Sequence, residues 1–138
     1  MSIALEIITP EGVAWSDKDI DSVVLPALDG EIEILPGHIP LITILNAGRI
    51  GIKRGGNEED LAIDKGYARC MGDVISVLTE AAIEVEDIDY DAVEDAKNEA
   101  LKAIEQAKLK KNLDEVEIER LEAIARFSIA QLLAKGKR

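Results

Sequence analysis

Two glutamates separated by one residue, Glu31 and Glu33, are followed shortly by the only histidine, His38, and these are the side chains most open to a chemical reading. Two carboxylates and an imidazole are the parts of a general acid–base pair. The spacing argues against that use. The segment Glu31-Ile-Glu-Ile-Leu35 alternates with period two, so Ile32 and Ile34 belong to a core face while Glu31 and Glu33 line a solvated one. No nucleophile, base and oxyanion set can be assembled around a single histidine, and His38 reads as a loop or rim residue. Gly55-Gly56-Asn57 is a hairpin tip, since strand residues follow it, and no Gly-rich loop ends in Lys-Ser or Lys-Thr to cradle phosphates. Cys70 has no partner for a disulfide and sits in an apolar-flanked segment, as a small buried hydrophobe would. One Cys and one His cannot supply the four nitrogen and sulfur ligands of structural zinc. The sequence therefore predicts no catalytic residues, no metal and no cofactor.

The elements that position these residues are short strands punctuated by turns. Expected strands run over Ile3 to Ile8, Val13 to Trp15, Ile20 to Leu25, Glu31 to Leu35, Leu41 to Leu45, Arg49 to Lys53, Asp60 to Ile63, Tyr67 to Met71 and Val74 to Thr79. Pro26 is read as the stop of the third, Asp29-Gly30 and Pro36-Gly37 as turns. Each strand offers one apolar face, so two sheets must face each other in an antiparallel all-β sandwich or flattened barrel of about nine to ten short strands. Trp15 and Tyr67 read as core or rim packing.

After Glu84-Val-Glu-Asp-Ile88 the period changes. Val93, Ala96, Ala100, Ala103 or Ile104 and Ala107 recur three or four apart, which predicts a helix from Asp89 to about Lys108 with a narrow small-residue stripe. Asp89 and Asp91 at its start and Lys108, Lys110 and Lys111 at its end complement the helix dipole. Asn112 and Asp114 mark a turn, and Ile118, Leu121, Ile124, Ala125, Ser128 and Leu132 predict a second helix to about Ala134, before Lys135-Gly-Lys-Arg138 frays. A short connection makes the pair an antiparallel α-helical hairpin, and its alanine-rich seam buries little area per residue and leaves it free to move. Two domains are expected, residues 1–84 and 85–138.

With 138 residues, the chain can form one modest core plus an appendage. The net charge of −12 speaks against nucleic acid, whose binding needs clustered Lys and Arg. No apolar run approaches the roughly 20 residues that span a bilayer, and Met1-Ser-Ile-Ala-Leu-Glu lacks a basic leader region.

The string from Asp21 to Leu41, with Pro26, Asp29-Gly30, Pro36-Gly37-His38 and Pro40 in that order, resembles the N-terminal domain of the epsilon subunit of F-type ATP synthase. Thr9-Pro10-Glu11-Gly12, Gly48-Arg49-Ile-Gly-Ile52, the hairpin around Gly55-Gly56, Lys65-Gly66-Tyr67 and Asp73 to Thr79 extend the resemblance over nearly the whole chain. It implies a non-catalytic rotor subunit on the central stalk, at the cytoplasmic face of the cell membrane, coupling proton flow to ATP synthesis. It also implies as partners the gamma subunit, the c-subunit ring, and the alpha and beta subunits when the hairpin extends to block hydrolysis. The residues matching the ring-facing region are Asp29, Gly30, Glu31, Pro36, Gly37 and His38. Some family members bind ATP on the folded hairpin through Ile or Leu, Asp, two variable residues and Arg-Ala, with arginines on the second helix. Ile88-Asp89 match here, but Ala92 and Val93 replace Arg-Ala; Arg126, with Arg120 beside it, is what remains, so ATP contact is expected to be weak or absent. On the residues alone, a small enzyme and a free-standing adaptor stay open as rival classes.

Overall fold

The computed structural model describes residues 2–110 and 114–135. Ten strands come first: β1 (Ile3–Thr9), β2 (Gly12–Ile20), β3 (Ser22–Ala27), β4 (Gly30–Ile34), β5 (Leu41–Leu45), β6 (Gly48–Arg54), β7 (Asn57–Ile63), β8 (Gly66–Met71), β9 (Val74–Thr79) and β10 (Ala82–Glu84). Two helices follow, α1 (Tyr90–Leu109) and α2 (Glu115–Lys135). The strands form one sheet in the order β10-β7-β6-β3-β5-β8-β9-β1-β2, with β4 paired to β3. It folds over so that β2 meets β6 and β7 through side chains, giving the expected sandwich. Leu5, Ile7, Leu25, Ile52, Leu61 and Val77 are among the side chains shut between its layers. Each such side chain contributes about 1.5–3 kcal/mol by leaving water. Cys70 is buried with them, and burial, helped by Asp73, pushes its thiol pKa up, as expected of a packing residue.

Several local expectations are corrected. The sandwich is not wholly antiparallel, because β1 pairs with β9 in parallel, Leu5 against Ile75 and Ile7 against Val77. Pro26 does not stop β3, which continues to Ala27 with Pro26 opposite Glu31; the ring removes one donor from the strand, but Pro26 O still accepts from Asn46 N at 2.9 Å. The strand at Val13 to Trp15 extends to Ile20, and β4 ends at Ile34 rather than Leu35. Between Lys65 and Tyr67 only glycine fits, since a Cβ on Gly66 would lie 1.9 Å from Leu78 O across the ladder. Any larger residue there must push β8 off β9.

A 3-10 turn at Val85–Asp87 leads to α1, whose N-cap is Asp89, its carboxylate accepting from Ala92 N at 3.1 Å. Asp114 does the same for Val116 N at 3.1 Å, so α2 starts earlier than its apolar repeat suggests. The Lys135 ammonium at the end of α2 lies 4.6 Å from the centre of the Tyr90 ring at the start of α1, which fixes the two helices as an antiparallel hairpin. Lys135, expected to fray, is instead the last residue of α2; Lys111 and Asn112, and the rest of the expected fraying at Gly136 to Arg138, lie outside the described residues.

Candidate interaction surfaces

The folded sheet has two outer faces of different character. One is the outer side of β5, β8, β9 and β1. Register aligns Ile44 with Tyr67, Tyr67 with Leu78, and Leu78 with Ile8, so four neighbouring strands present one apolar row. Ile44 is 59% and Tyr67 46% exposed. The next row, Ile42-Arg69-Ser76-Glu6, is mostly polar, and beyond it Met71, Val74 and Ala4 make a shorter apolar one. Tyr67, expected in packing, is thus a surface residue. An apolar row running across four strands is a candidate docking surface.

The opposite outer face, on β6 and β7, is covered by α2. Here the sheet offers Ala62, Asp60 and Asp64, and the buried side chains of α2 (Ala125, Ser128, Ala130, Gln131 and Ala134) are shared between the sheet and α1. Ala62 and Ala134 pack with Ile88, with Ile83, Val85 and Phe127 beside them. Two acidic groups lie under this cover. Asp60 is within 3.6 Å of the Arg49 guanidinium. Asp64, 3% exposed, accepts from Arg126 Nε at 2.6 Å and Nη2 at 3.1 Å, a bidentate pair reaching from helix to strand. The hydrogen bond to Asp64 pushes the Arg126 pKa above its ordinary value.

The six residues expected to form one ring-facing region fall at the two ends of β4. At one end, Asp29-Gly30 turns β3 into β4, with Gly30 at φ 132°. Glu31 follows at the start of β4 and lines a crevice of about 370 Å³ with Leu28, Arg49, Leu133 and Ala134, beside the last turns of α2. At the other end, His38 N donates to Leu35 O at 3.1 Å, and Gly37 has φ 84°, the glycine position of a type II turn opened by Pro36. Gly37 N also donates to Asp73 Oδ1 at 2.9 Å, which ties this turn to the β8–β9 hairpin. His38 Nδ1 donates to Ile39 O at 2.7 Å and leaves Nε2 as the ring's other polar atom. Five strand residues at about 3.3 Å each put roughly 16 Å between the two turns. The β4 strand, carrying Glu31 and Glu33, joins them.

The residues expected to touch nucleotide each have another task. Ile88 is packed against Ala62 and Ala134, Asp89 caps α1, and Arg126 holds Asp64. The crevice at Arg126, about 310 Å³, is also lined by Asp64, Lys65, Glu80, Glu119 and Arg120, and by neither Ile88 nor Asp89. Sequence reasoning missed Asp64 and the Ile44–Tyr67–Leu78–Ile8 row. A signal for Asp64 was available: an Asp directly after the apolar run Leu61-Ala-Ile63 needs a cationic partner if the strand end is buried.

These features define a class: a small β-sandwich with an apolar row on one outer face and the other outer face closed by α2 of its helical hairpin. Among the described residues no helix is long and apolar enough to cross a membrane. Residues 2–85 match the family described as ATP synthase, Delta/Epsilon chain, beta-sandwich domain. Curated relatives carry the name ATP synthase epsilon chain. That of Hydrogenovibrio crunogenus is 36% identical over 92% of this chain and 88% of its own. That of Nitratidesulfovibrio vulgaris is 31% identical over 98% and 96%. In fold, the chain is similar to a chain of the Euglena gracilis mitochondrial ATP synthase assembly of OSCP, F1 and c-ring, with TM-score 0.76, 21% identity, and coverage of 97% of this chain and 81% of that one. The chain belongs to the ATP synthase epsilon-chain family, and it is an accessory subunit rather than a catalytic one.

Proposed function

We propose that this chain is the rotor subunit that joins the central stalk of an F-type ATP synthase to its membrane ring, on the cytoplasmic side. The observation that carries the reading is the contrast between the two outer faces. A coupling piece needs a rigid body with a permanent attachment, and the sandwich has one in the bare row Ile44–Tyr67–Leu78–Ile8, suited to the gamma subunit. Regulation needs an element with two resting places, and the hairpin of residues 85–138 rests on a small cluster around Ala62, Ile88, Phe127 and Ala134 and on an ion pair rather than on a leucine seam. Residues 1–84 then transmit torque, while the hairpin, when it leaves its seat, reaches the alpha and beta subunits and restrains hydrolysis. Glu31 and His38, at opposite ends of β4, are the polar groups that meet the loops of the c ring. No cofactor is required for any of these roles.

Cysteine crosslinking in the assembled complex tests this. Cysteines at positions 31 and 38 should bond to cysteines in ring loops, and one at position 67 to gamma. Crosslinks from positions 31 and 38 to catalytic subunits alone, with none to the ring, would remove the placement.

A further inference from the structure

We infer that the Asp64–Arg126 pair is the latch of the hairpin: a contact whose loss lifts α2 from the end of β7 without unfolding the sandwich. Asp64 directly follows β7 and is almost fully buried, with Arg126, Ala123 and Arg120 of α2 beside it. Its carboxylate accepts three donors, the two from Arg126 and the backbone N–H of Lys65 at 2.8 Å. The Arg126 side chain is 34% exposed and has Glu80 and Glu122 near it, so it keeps contact with water while its fork faces inward. The two halves of the pair are therefore unequal. Without Asp64, Arg126 swings outward to solvent and loses little. Without Arg126, Asp64 is a charge trapped beneath a helix.

A buried charge that loses its partner can be relieved in two ways, by unfolding or by uncovering. Uncovering costs less than unfolding here, because the helix sits on this end of the sheet with few large apolar groups: Ala134 and Phe127 pack with Ala62 and Ile88, and Ala123 lines the crevice beside Asp64. The core of the sandwich lies on the other side of the sheet and is not opened when α2 departs. Among the described residues, the ion pairs Lys97 with Glu94 and Arg120 with Glu117 lie within one helix each and do not bind the hairpin to the sandwich. Arg126 is thus a charge that ties the hairpin to the sandwich. The regulatory consequence rests on the reading that the lifted hairpin restrains hydrolysis.

Hydrogen exchange on the full chain, resolved by segment, is the test, with three variants: Arg126→Met, Asp64→Asn and the two combined. Arg126→Met should speed exchange in residues 115–135 by about tenfold or more while β1, β8 and β9 keep their protection. Asp64→Asn should have a smaller effect. The combined variant should be slower to exchange than Arg126→Met, because the trapped charge is gone; simple loss of packing would make it faster. Unchanged exchange in α2, or loss of protection in strands and helix together, overturns the latch, as does a combined variant that exchanges faster than Arg126→Met. Hydrolysis by the reconstituted complex is the separate arm. A fall by about half or more with Arg126→Met supports both ideas, whereas release of α2 with unchanged hydrolysis retains the latch and sinks the regulatory role of the hairpin.

Discussion

Trp15 Nε1 donates to Glu59 Oε2 at 3.1 Å, across the seam where the last strand of the sheet order, β2, comes against β7. Arg54 reinforces the seam, bonding both Asp17 on β2 and Glu59 on β7, with its guanidinium 5.9 Å from the centre of the Trp15 ring. The sandwich is closed here by side chains rather than by a ladder.

Acid should open this seam first. The backbone N–H of Asp19, with Arg54 second, holds the Asp17 carboxyl below its ordinary range. Asp17 therefore contributes fully at neutral pH, and its contribution fades as pH falls through the ordinary carboxylate range towards the lower folded value. Thermal melts between neutral and acid pH should show a smaller decline for Arg54→Met than for the parent. Equal declines would mean that the pair does not report on stability. Trp15→Phe keeps an aromatic side chain but loses the bond, at about 1 kcal/mol, together with part of the indole's packing against the core.

Tyr67→Asp and Leu78→Asp test the bare face. Tyr67 lies on the outer side of β8 and is half exposed, so its variant should fold with a melting point close to the parent's. Copurification with gamma should drop at least tenfold, the effect expected when a charge enters the centre of an apolar interface. Retention of gamma by both variants would require the attachment to lie elsewhere.

Ending the chain after Asp87 should leave a protein that unfolds in one cooperative step, since the core between the layers takes nothing from α1 or α2. The uncovered surface is Ala62, Ile83 and Val85, with Asp64 returned to water. Assembly and coupling should survive while regulation changes. A truncated chain with no cooperative transition would make hairpin and sandwich one folding unit.

Nucleotide binding by the isolated chain should be weak. A triphosphate would have to take Arg126 from Asp64, and Glu80 and Glu119 stand in the same crevice. Calorimetric titration at physiological salt checks this: micromolar ATP affinity abolished by Arg126→Ala would contradict it.

Much of the sandwich was legible because alternation in segments such as Glu31 to Ile34 reports which side chain is shut in, and turn residues mark where strands end. Legibility failed where pattern carries no face. Leu41-Ile-Thr-Ile-Leu45 is apolar almost throughout, so nothing in it says that Ile42 and Ile44 point to solvent. Pairing between distant segments is likewise silent: β1 against β9, and Arg126 with Asp64, 62 positions apart. The family resemblance supplied a role for Arg126, yet only the folded chain reveals what that side chain holds in the docked hairpin.

The parallel pairing of β1 with β9 sets an order on synthesis. Strands β1 and β2 leave the ribosome early and can form a hairpin at once, joined at Pro10-Glu11. The other edge of β1 stays unpaired until Val74 to Leu78 have been made. For that interval Ile3, Leu5 and Ile7 sit on an open strand edge beside an unfinished core, the condition under which chains pair with each other instead of with themselves. The newborn protein is most prone to aggregate not in its helical hairpin but at its first strand, and a nascent chain arrested before residue 74 should be the form that chaperones hold.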